Sequence, residues 1–489
     1  MDRSTIAGLL LSLNPTDVVD AQTAAVADDV ATYFRQDKKL LYRGMAGIGR
    51  HGGALIFAQI DENRCPVRRI IVKYSIDATN DEDLINEAFW LEKLRGAEHI
   101  GQMIPLANAN VNISGTGKRP TLALEYIENG TMSTFLERYG AENVWIPNRM
   151  LWSIFLCLVR QEIAMAWPPR GAPNAPLRRE MVDFWEAPTA LTQNSPHRRN
   201  LVIGNFDDTA EHSIVPRIHL IDFGRGKLEI DYETAQHFNT GYVGYMMSYI
   251  TLCHIPDEEI DDETPWEWHY YDSTGVAKPF LTFTDSRVLN APNIDPELAT
   301  LIARCMSPDA QPRIGELLEL CEQGAALSGE QMAVRADLDP EWSPKELDEG
   351  IRELIKQYIL DAPSVDGRLP ADRPLVGLDA IRPPLTRGIR HPLVRPKVER
   401  EPQNEPQNGP QDEPQAPRPS LFQGFQEQIE MIRMREAREA AAREEPPRSL
   451  FRGFRDWFFR SNEGPVIRED LDPIQEPDPV DDHDPMDVD

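Results

Sequence analysis

The chain has few cysteines and no apolar run long enough to cross a membrane. Its 5 cysteines, in 489 residues, are odd in number, widely scattered and without a CxxC pair, so no disulfide framework is predicted. They are interpreted as reduced thiols of a cytoplasmic or nuclear protein. The amino-terminal MDRSTIAGLLLSLNPTD is too short for a span of about 20 residues and has no small-residue cleavage site, so a short helix is expected there.

Positive charge is also scarce. The chain has 51 Lys and Arg against 80 Asp and Glu, which gives a net charge of −29. Such a chain repels a phosphate backbone, so we predict no general nucleic-acid binding, although a local basic patch is compatible with this balance. The absence of a long apolar run likewise predicts no membrane partner.

A stretch without aromatic residues follows the first three quarters of the chain. Thirteen prolines and no aromatic residue occur between Pro363 and Pro419, together with an imperfect EPQN repeat. This composition buries too little apolar surface to offset chain entropy, so a disordered tail is predicted and the globular part is expected to end close to Leu360. Just before that point, Ser343-Pro344-Lys345-Glu346 has the form of a capping box and predicts a docking helix.

Two similar segments lie in the predicted tail. Ser420–Phe425 (SLFQGF) is followed 29 residues later by Ser449–Phe454 (SLFRGF), and the residues between them favour a helix near 421–445. Two interpretations stay open: chance similarity in a biased tail, or a pair of aromatic docking motifs that order on a protein partner. The acidic run from Glu469 to Asp489 is typical of a solvated tail.

A glycine-rich turn begins the informative part of the chain. Gly47, Gly49 and Gly52 form a GxGxxG pattern between two predicted strands. A dinucleotide-binding turn would require a helix directly afterwards, whereas Ala54–Ala58 has the pattern of a strand. The glycines are therefore interpreted as a hairpin over phosphates.

A lysine and a glutamate follow, at positions from which their side chains can form an ion pair. Lys73 lies at the end of the β-branched run Arg69–Tyr74, as in the V-A-I-K strand of kinases. The helical pattern of Asp81–Leu94 carries Glu87 on a face from which its carboxylate can meet Lys73.

A buried strand and a DFG triplet complete the order. Thr121–Gly130 runs from an apolar strand into a polar turn, the form of a hinge whose backbone at Glu125 and Ile127 is expected to bind an adenine. Further on, the apolar strand Ile218–Ile221 ends in Asp222-Phe223-Gly224, and the aspartate of such a triplet binds the metal that bridges ATP phosphates.

In this order the pieces resemble the eukaryotic protein-kinase family, over roughly residues 40–327. The segments LRGAEHI, LEYIENG and HSIVPRIHLIDFGRGK are similar to divergent kinase-like proteins of filamentous fungi. The resemblance implies an α+β bilobal fold with a small β-rich N-lobe and a large α-helical C-lobe, in which Arg313 would be a buried structural arginine. The expected boundaries are 1–36 for a helical extension, 37–130 for the N-lobe, 131–330 for the C-lobe, 331–362 for the docking helix and 363–489 for the tail.

The chain departs from the family where the reaction needs a base. Asn200 matches the asparagine that holds a second Mg²⁺, but Ser195 stands where the family has the aspartate that accepts the substrate proton. No aspartate occurs between Trp185 and Phe206. The APE motif is missing, and Tyr242 is assigned to the position of the aspartate that braces the catalytic loop.

Two functions from different classes follow from this resemblance. The preferred one is a pseudokinase, an ATP-binding or ATP-stabilised interaction module that recruits protein partners through its tail. The alternative is a weakly active or atypical protein serine/threonine kinase, because most phosphoryl transfer depends on positioning and electrostatics. Implied ligands are ATP and Mg²⁺, with Lys73 on the α- and β-phosphates, Glu87 orienting Lys73, and Asn200 and Asp222 on the metal.

Overall fold

The computed structural model describes residues 21–48, 52–104, 110–113, 117–141, 145–172, 175–195, 197–256, 259–262, 264–271 and 274–362. Gly49, the first twenty residues, and the predicted tail with its helix near 421–445 and its two SLFxGF segments lie outside the described residues.

The amino-terminal part forms an antiparallel sheet accompanied by two helices. The sheet has five strands in the order β1-β2-β3-β5-β4. The elements are α1 (Ala21–Arg35), β1 (Leu40–Ile48), β2 (Gly52–Ile60), β3 (Pro66–Ser75), a 3₁₀ turn (Ala78–Asn80), α2 (Asp81–Lys93), β4 (Asn110–Ile113) and β5 (Gly117–Glu125).

Helix α1 buries its apolar face on this sheet. Val30 and Phe34 of the helix are 0% and 5% exposed and belong to one core cluster with Phe57 and Val72 of the strands. Burying an apolar side chain of this size contributes about 1.5–3 kcal/mol, so the helix and sheet stabilise each other. Helix α2 packs against β3 and β5, which positions Glu87 near the end of β3.

The remainder is mainly helical, with short strand pairs. Its elements are α3 (Met132–Gly140), α4 (Asn148–Ala166), β6 (Leu191–Thr192), a 3₁₀ turn (Arg198–Asn200), β7 (Leu201–Ile203), β8 (Ile218–Leu220), β9 (Lys227–Leu228), α5 (Tyr232–Thr251), β10 (Trp266–Tyr271), β11 (Ala277–Thr282), α6 (Ser286–Leu289), α7 (Pro296–Cys305), α8 (Ile314–Ala325), α9 (Gly329–Arg335), a 3₁₀ turn (Ser343–Glu346), α10 (Asp348–Ile355) and a π-helical turn (Lys356–Leu360).

Helix α4 is the centre of this helical part. It is buried along almost its whole length and packs against α5 and α8, as expected for a helix that is apolar nearly all round. The chain is thus a mixed helix-and-sheet structure with a small antiparallel sheet near its amino terminus. Among the described residues, no helix is long and apolar enough to span a membrane, and all five cysteines are free thiols.

The predicted docking helix begins later than its sequence pattern indicated. Ser343 does not form a capping box: its segment is a 3₁₀ turn, and α10 starts at Asp348. The buried Glu346 carboxylate accepts the backbone amides of Asn148 and Arg149 at 2.7 and 3.0 Å. The Glu346 carboxylate thereby satisfies N–H groups at the start of α4 that have no partner within the helix. If Glu346 instead capped the helix that follows it, those N–H groups would lose this partner.

Arg313 is exposed, which corrects its expected role as a buried structural arginine. The fully buried arginine is Arg160 of α4, whose guanidinium lies 2.6 Å from both Glu211 and Glu322. A buried guanidinium needs carboxylate partners to offset the loss of water, and Arg160 has two, of which Glu211 is mostly buried and Glu322 is 46% exposed.

Candidate nucleotide-binding site

A lysine and two carboxylates meet where the sheet approaches the helical part. The Nζ atom of Lys73 lies 2.8 Å from both carboxylate oxygens of Glu87 and 3.6 Å from Oδ1 of Asp222. Strand β3 supplies the lysine, α2 supplies the glutamate, and Asp222 follows β8. Three residues that are far apart in sequence therefore form one charged group.

The lysine of this group stays positively charged. Burial alone would lower the pKa of Lys73, but the carboxylates of Glu87 and Asp222 raise it above its usual value. Glu87 is buried and also accepts the backbone amide of Phe223. The Glu87 carboxylate consequently joins helix α2 to the segment that carries Asp222.

Asp222 is held by an unusual backbone conformation. Its φ of 66° lies in the left-handed region, which aspartate adopts more readily than most residues other than glycine. The buried Gln193 side chain donates to the carbonyls of Ile221 and Asp222 at 3.1 and 2.6 Å. These bonds fix the turn, while the Asp222 side chain remains 42% exposed and open to a ligand.

Helix α2 also holds the residues that follow Asp222. Asn86 donates to the carbonyls of Gly224 and Gly226 at 2.9 and 2.8 Å, and the indole of Trp90 donates to Gly226 at 2.8 Å. Sequence reasoning missed both side chains, because the helical pattern of α2 gives no signal that Asn86 or Trp90 has a distant backbone partner.

Asn200 bends back over the loop that contains Ser195. Its Nδ2 donates to the carbonyl of Ser195 at 2.8 Å and to the Ser195 hydroxyl at 3.2 Å. The amide nitrogen is thus occupied, and Oδ1 is the atom of this amide that can ligate a cation. Ser195 is half-buried and offers only a neutral hydroxyl at this position.

His197 is the titratable side chain between Ser195 and Asn200. Its Nδ1 accepts the backbone amide of Arg199 at 3.1 Å, and burial lowers its pKa below the usual value. A neutral imidazole whose Nδ1 accepts a hydrogen bond carries its proton on Nε2. In this tautomer His197 is a hydrogen-bond donor and does not replace a carboxylate base.

The contact between α5 and the loop comes from Asn239. Its Nδ2 donates to the carbonyl of Leu191 at 2.9 Å, and the pair is buried. The Tyr242 hydroxyl, at the position predicted to have lost the brace, has no hydrogen-bond partner among the described residues. The helical register turns the Asn239 side chain toward the loop, whereas Tyr242 lies almost a full turn further along.

Little chain separates Asp222 from helix α5. Gly224 is followed only by Arg225–Asp231 before the helix begins, and part of this segment pairs with β6 through Lys227 and Leu228. Leu228 and Ile230 are 58% and 89% exposed. The short connection leaves little surface on which a peptide substrate could lie.

The glycine-rich turn is described on both sides of its tip. Gly47 pairs with Ala54 near the end of β1, and a side chain there would have open space around it. Gly52 begins β2, where a Cβ atom would collide with the carbonyl of Tyr74 on β3. Gly52 is thus required by strand packing as well as being placed near the end of β3.

The expected hinge follows β5. The half-buried Glu125 side chain accepts the backbone amide of Gln102 at 2.8 Å, and burial raises the pKa of Glu125 to about 7. Ile127 lies in the turn that leaves β5, and the side chain of Asn129 anchors the end of this turn by donating to the Gly204 carbonyl at 2.6 Å. The side chain of Glu125 therefore has a structural role, and its backbone amide donates to the Gln102 carbonyl at 3.0 Å.

The donors near Lys73 suit a hydrated magnesium ion with phosphate. Asp222 offers a carboxylate and Asn200 an amide oxygen, both of which are hard ligands of the kind that Mg²⁺ prefers. The protonated Lys73 beside them can contact phosphate oxygens. No metal-ligating histidine or cysteine is part of this group as the structure describes it.

Comparisons with known proteins find matches among solved structures. No protein-family model matches the chain, and a search of curated proteins finds no match. Among solved structures, the chain is similar to a chain of the CAK complex from Chaetomium thermophilum bound to ATP-γ-S. The identity is 13%, the match covers 59% of this chain and 92% of that chain, and the TM-score is 0.39.

Proposed function

We propose that this chain has a bilobal, protein-kinase-like domain that binds Mg·ATP and acts as a pseudokinase, a signalling or interaction module. The observation that supports it best is the group formed by Lys73, Glu87 and Asp222, with Nζ of the lysine 2.8 Å from the glutamate and 3.6 Å from the aspartate. Binding of phosphates and a cation needs this combination of charges in one place.

Each residue of the group has a definite task in this proposal. Lys73 contacts the α- and β-phosphates, Glu87 holds the lysine in position, and Asp222 and Asn200 bind Mg²⁺. The glycine-rich turn covers the phosphates, and the backbone at Glu125 and Ile127 receives the adenine. The glycines of this turn are Gly47, Gly49 and Gly52.

Phosphotransfer is proposed to be weak or lost because the site has no base. Ser195 carries a neutral hydroxyl, and Nδ1 of the neighbouring His197 already accepts the backbone amide of Arg199. General-base catalysis typically contributes about 10²- to 10⁴-fold to a rate. The short segment between Gly224 and α5 removes much of the support for a peptide substrate as well.

A weakly active or atypical protein serine/threonine kinase is the second candidate. The intact pairing of Lys73 with Glu87 favours it, because positioning and electrostatic stabilisation carry most of phosphoryl transfer. In that case another carboxylate, or the substrate itself, accepts the proton of the protein hydroxyl.

Thermal unfolding of the full chain tests the binding proposal. Mg·ATP at a hundredfold excess over Kd should add about 2.7 kcal/mol to the free energy of unfolding, and ATP without Mg²⁺ should add less. Asp222→Asn and Lys73→Met should abolish most of this gain. Asp208→Asn and Lys39→Met, which change exposed residues of the same types, should keep it. A wild-type chain that shows no gain at millimolar Mg·ATP contradicts nucleotide binding.

A transfer assay with γ-labelled ATP separates the two candidates. The pseudokinase proposal expects no label on generic protein substrates above the level given by Lys73→Met. Label that requires Lys73 and is retained by Lys39→Met would establish the weak kinase instead. Label that is equal in all three proteins would come from a contaminant.

Two further proposals concern the cellular context. We propose that the segment beyond residue 363 recruits protein partners and that the chain works in the cytoplasm or nucleus. Pull-down with the full chain and with a chain ending at Ala362, together with imaging of a tagged full chain, tests both. Identical partners for the two chains would contradict recruitment through the tail.

A further inference from the structure

Three side chains that commonly ligate metals meet in the interior, outside the nucleotide site. They are His99 between α2 and β4, Cys157 of α4, and His212 between β7 and β8. Their ligating atoms all lie within 4.8 Å of one another, and the three residues are at most 2% exposed. We call these three residues the His-Cys cluster.

The two imidazoles have the separation of metal ligands. Nε2 of His99 lies 3.1 Å from Nε2 of His212, whereas two nitrogens bound tetrahedrally to one Zn²⁺ would be about 3.3 Å apart. A thiolate in the same coordination sphere would lie about 3.6 Å from each nitrogen, and Sγ of Cys157 lies within 4.8 Å of both.

His99 is oriented by a buried carboxylate. Oε2 of Glu180 lies 2.6 Å from Nδ1 of His99, and Oε1 accepts the His99 backbone amide at 2.7 Å. Both residues are almost completely buried. A carboxylate that accepts the proton of Nδ1 leaves the lone pair of Nε2 directed at the cluster, an arrangement that recurs around histidine ligands of metals.

A fourth donor lies beside His212. Oε2 of Glu211 is buried, is 4.0 Å from Nε2 of His212, and has no hydrogen-bond partner within the described part of the chain. The other carboxylate oxygen is held by Arg160 and Arg179 at 2.6 and 2.9 Å. A buried carboxylate oxygen without a partner is costly, and a cation at the cluster would remove this cost.

We propose that His99, Cys157 and His212, with Glu211 as the fourth ligand, bind one Zn²⁺ ion. Imidazole nitrogens with a thiolate are the donor set that Zn²⁺ favours, and four protein ligands in a closed interior make a structural site. The ion would join the chain between α2 and β4, helix α4, and the loop between β7 and β8. Zinc binding at this site does not require the proposed nucleotide binding.

Metal content of the full chain tests this site directly. The chain is purified from zinc-supplemented cells, passed through a weak chelator and analysed by mass spectrometry for metals. About one zinc per chain is expected, because a closed four-ligand site holds its ion against weak chelators. Cys157→Ser and His212→Ala should lose the ion, whereas Cys321→Ser, which changes another buried thiol, should keep it.

Cobalt substitution and a conservative variant test the site even if the ligand variants fail to fold. Co²⁺ in the wild-type chain should give a thiolate-to-cobalt absorption band together with the visible bands of tetrahedral cobalt. Glu180→Gln keeps the volume and one acceptor beside His99, and it should weaken zinc affinity about 10- to 100-fold in a chelator competition. The site is overturned if the wild-type chain holds no zinc and gives no cobalt–thiolate band. It is also overturned if folded Cys157→Ser retains the metal, or if folded Glu180→Gln binds zinc with unchanged affinity.

Discussion

The pair formed by Lys73 and Glu87 gives the most direct test of the site in the absence of any ligand. Glu87 is 3% exposed at its side chain and Lys73 is 22% exposed, with 2.8 Å between their charged groups. Removing one partner of a buried ion pair typically costs about 3–5 kcal/mol, because the other charge is left without compensation.

The two single substitutions should not cost the same. In Glu87→Gln the ammonium of Lys73 keeps Asp222 at 3.6 Å and some contact with water, so we expect about 2 kcal/mol. In Lys73→Met the Glu87 carboxylate remains buried with no counter-charge beside it, so about 3 kcal/mol or more is expected. The double variant should cost less than the sum of the singles by about 2 kcal/mol.

The Lys73→Met variant should also depend on pH. Burial already raises the pKa of Glu87 in the native chain, and loss of the lysine raises it further above the value in the unfolded chain. A carboxyl with a raised pKa binds more protons in the folded state, so stability falls as pH rises above its unfolded pKa of about 4.3. The cost of Lys73→Met should therefore be smaller at pH 5.5 than at pH 8.

Urea unfolding followed by circular dichroism at both pH values measures these energies. Glu82→Gln, an exposed substitution on the same helix, should change the free energy of unfolding by no more than about 0.5 kcal/mol. Strictly additive costs in the double variant would show that the two side chains do not interact in solution, and would refute the reasoning. A cost of Lys73→Met that grows toward pH 5.5 would refute the account of Glu87.

Four other substitutions test features around the site. Ser195→Asp should raise γ-phosphate transfer to a peptide by less than about tenfold, because a catalytic carboxylate needs support to within about 0.5 Å and the segment before α5 is short. Tyr242→Phe should be neutral or slightly stabilising in urea unfolding, since its buried hydroxyl has no partner among the described residues, whereas Asn239→Ala should cost about 1–3 kcal/mol. Gly52→Ala should lower the melting temperature, because a Cβ atom there meets the carbonyl of Tyr74.

Each of these predictions has an opposite result that would count against it. A gain of a hundredfold or more in Ser195→Asp would mean that only the base is missing. A large cost for Tyr242→Phe would mean that this hydroxyl makes a stabilising contact after all. Full stability in Gly52→Ala, with Gly47→Ala as the control at an open position, would mean that the strands separate there easily.

The sequence by itself determined the local elements of the site. A β-branched run predicted the strand that carries Lys73, and an apolar run predicted the strand that precedes Asp222. The helical pattern predicted the helix of Glu87, because backbone periodicity and side-chain burial are linked within a few residues. The order of these pieces also identified Ser195 as the residue in place of a base. A missing side-chain type is a property of the sequence alone.

Only the tertiary structure decided which distant side chains meet. Glu346 caps α4 rather than its own helix, Asn239 rather than Tyr242 contacts the loop, and Asn86 holds the chain after Asp222. These contacts satisfy backbone groups that lie far away in sequence, and local patterns carry no record of them. The same reason applies to His99, Cys157 and His212, whose scattered positions gave no metal-ligand spacing, because their meeting depends on how α4 packs against the two loops beside it.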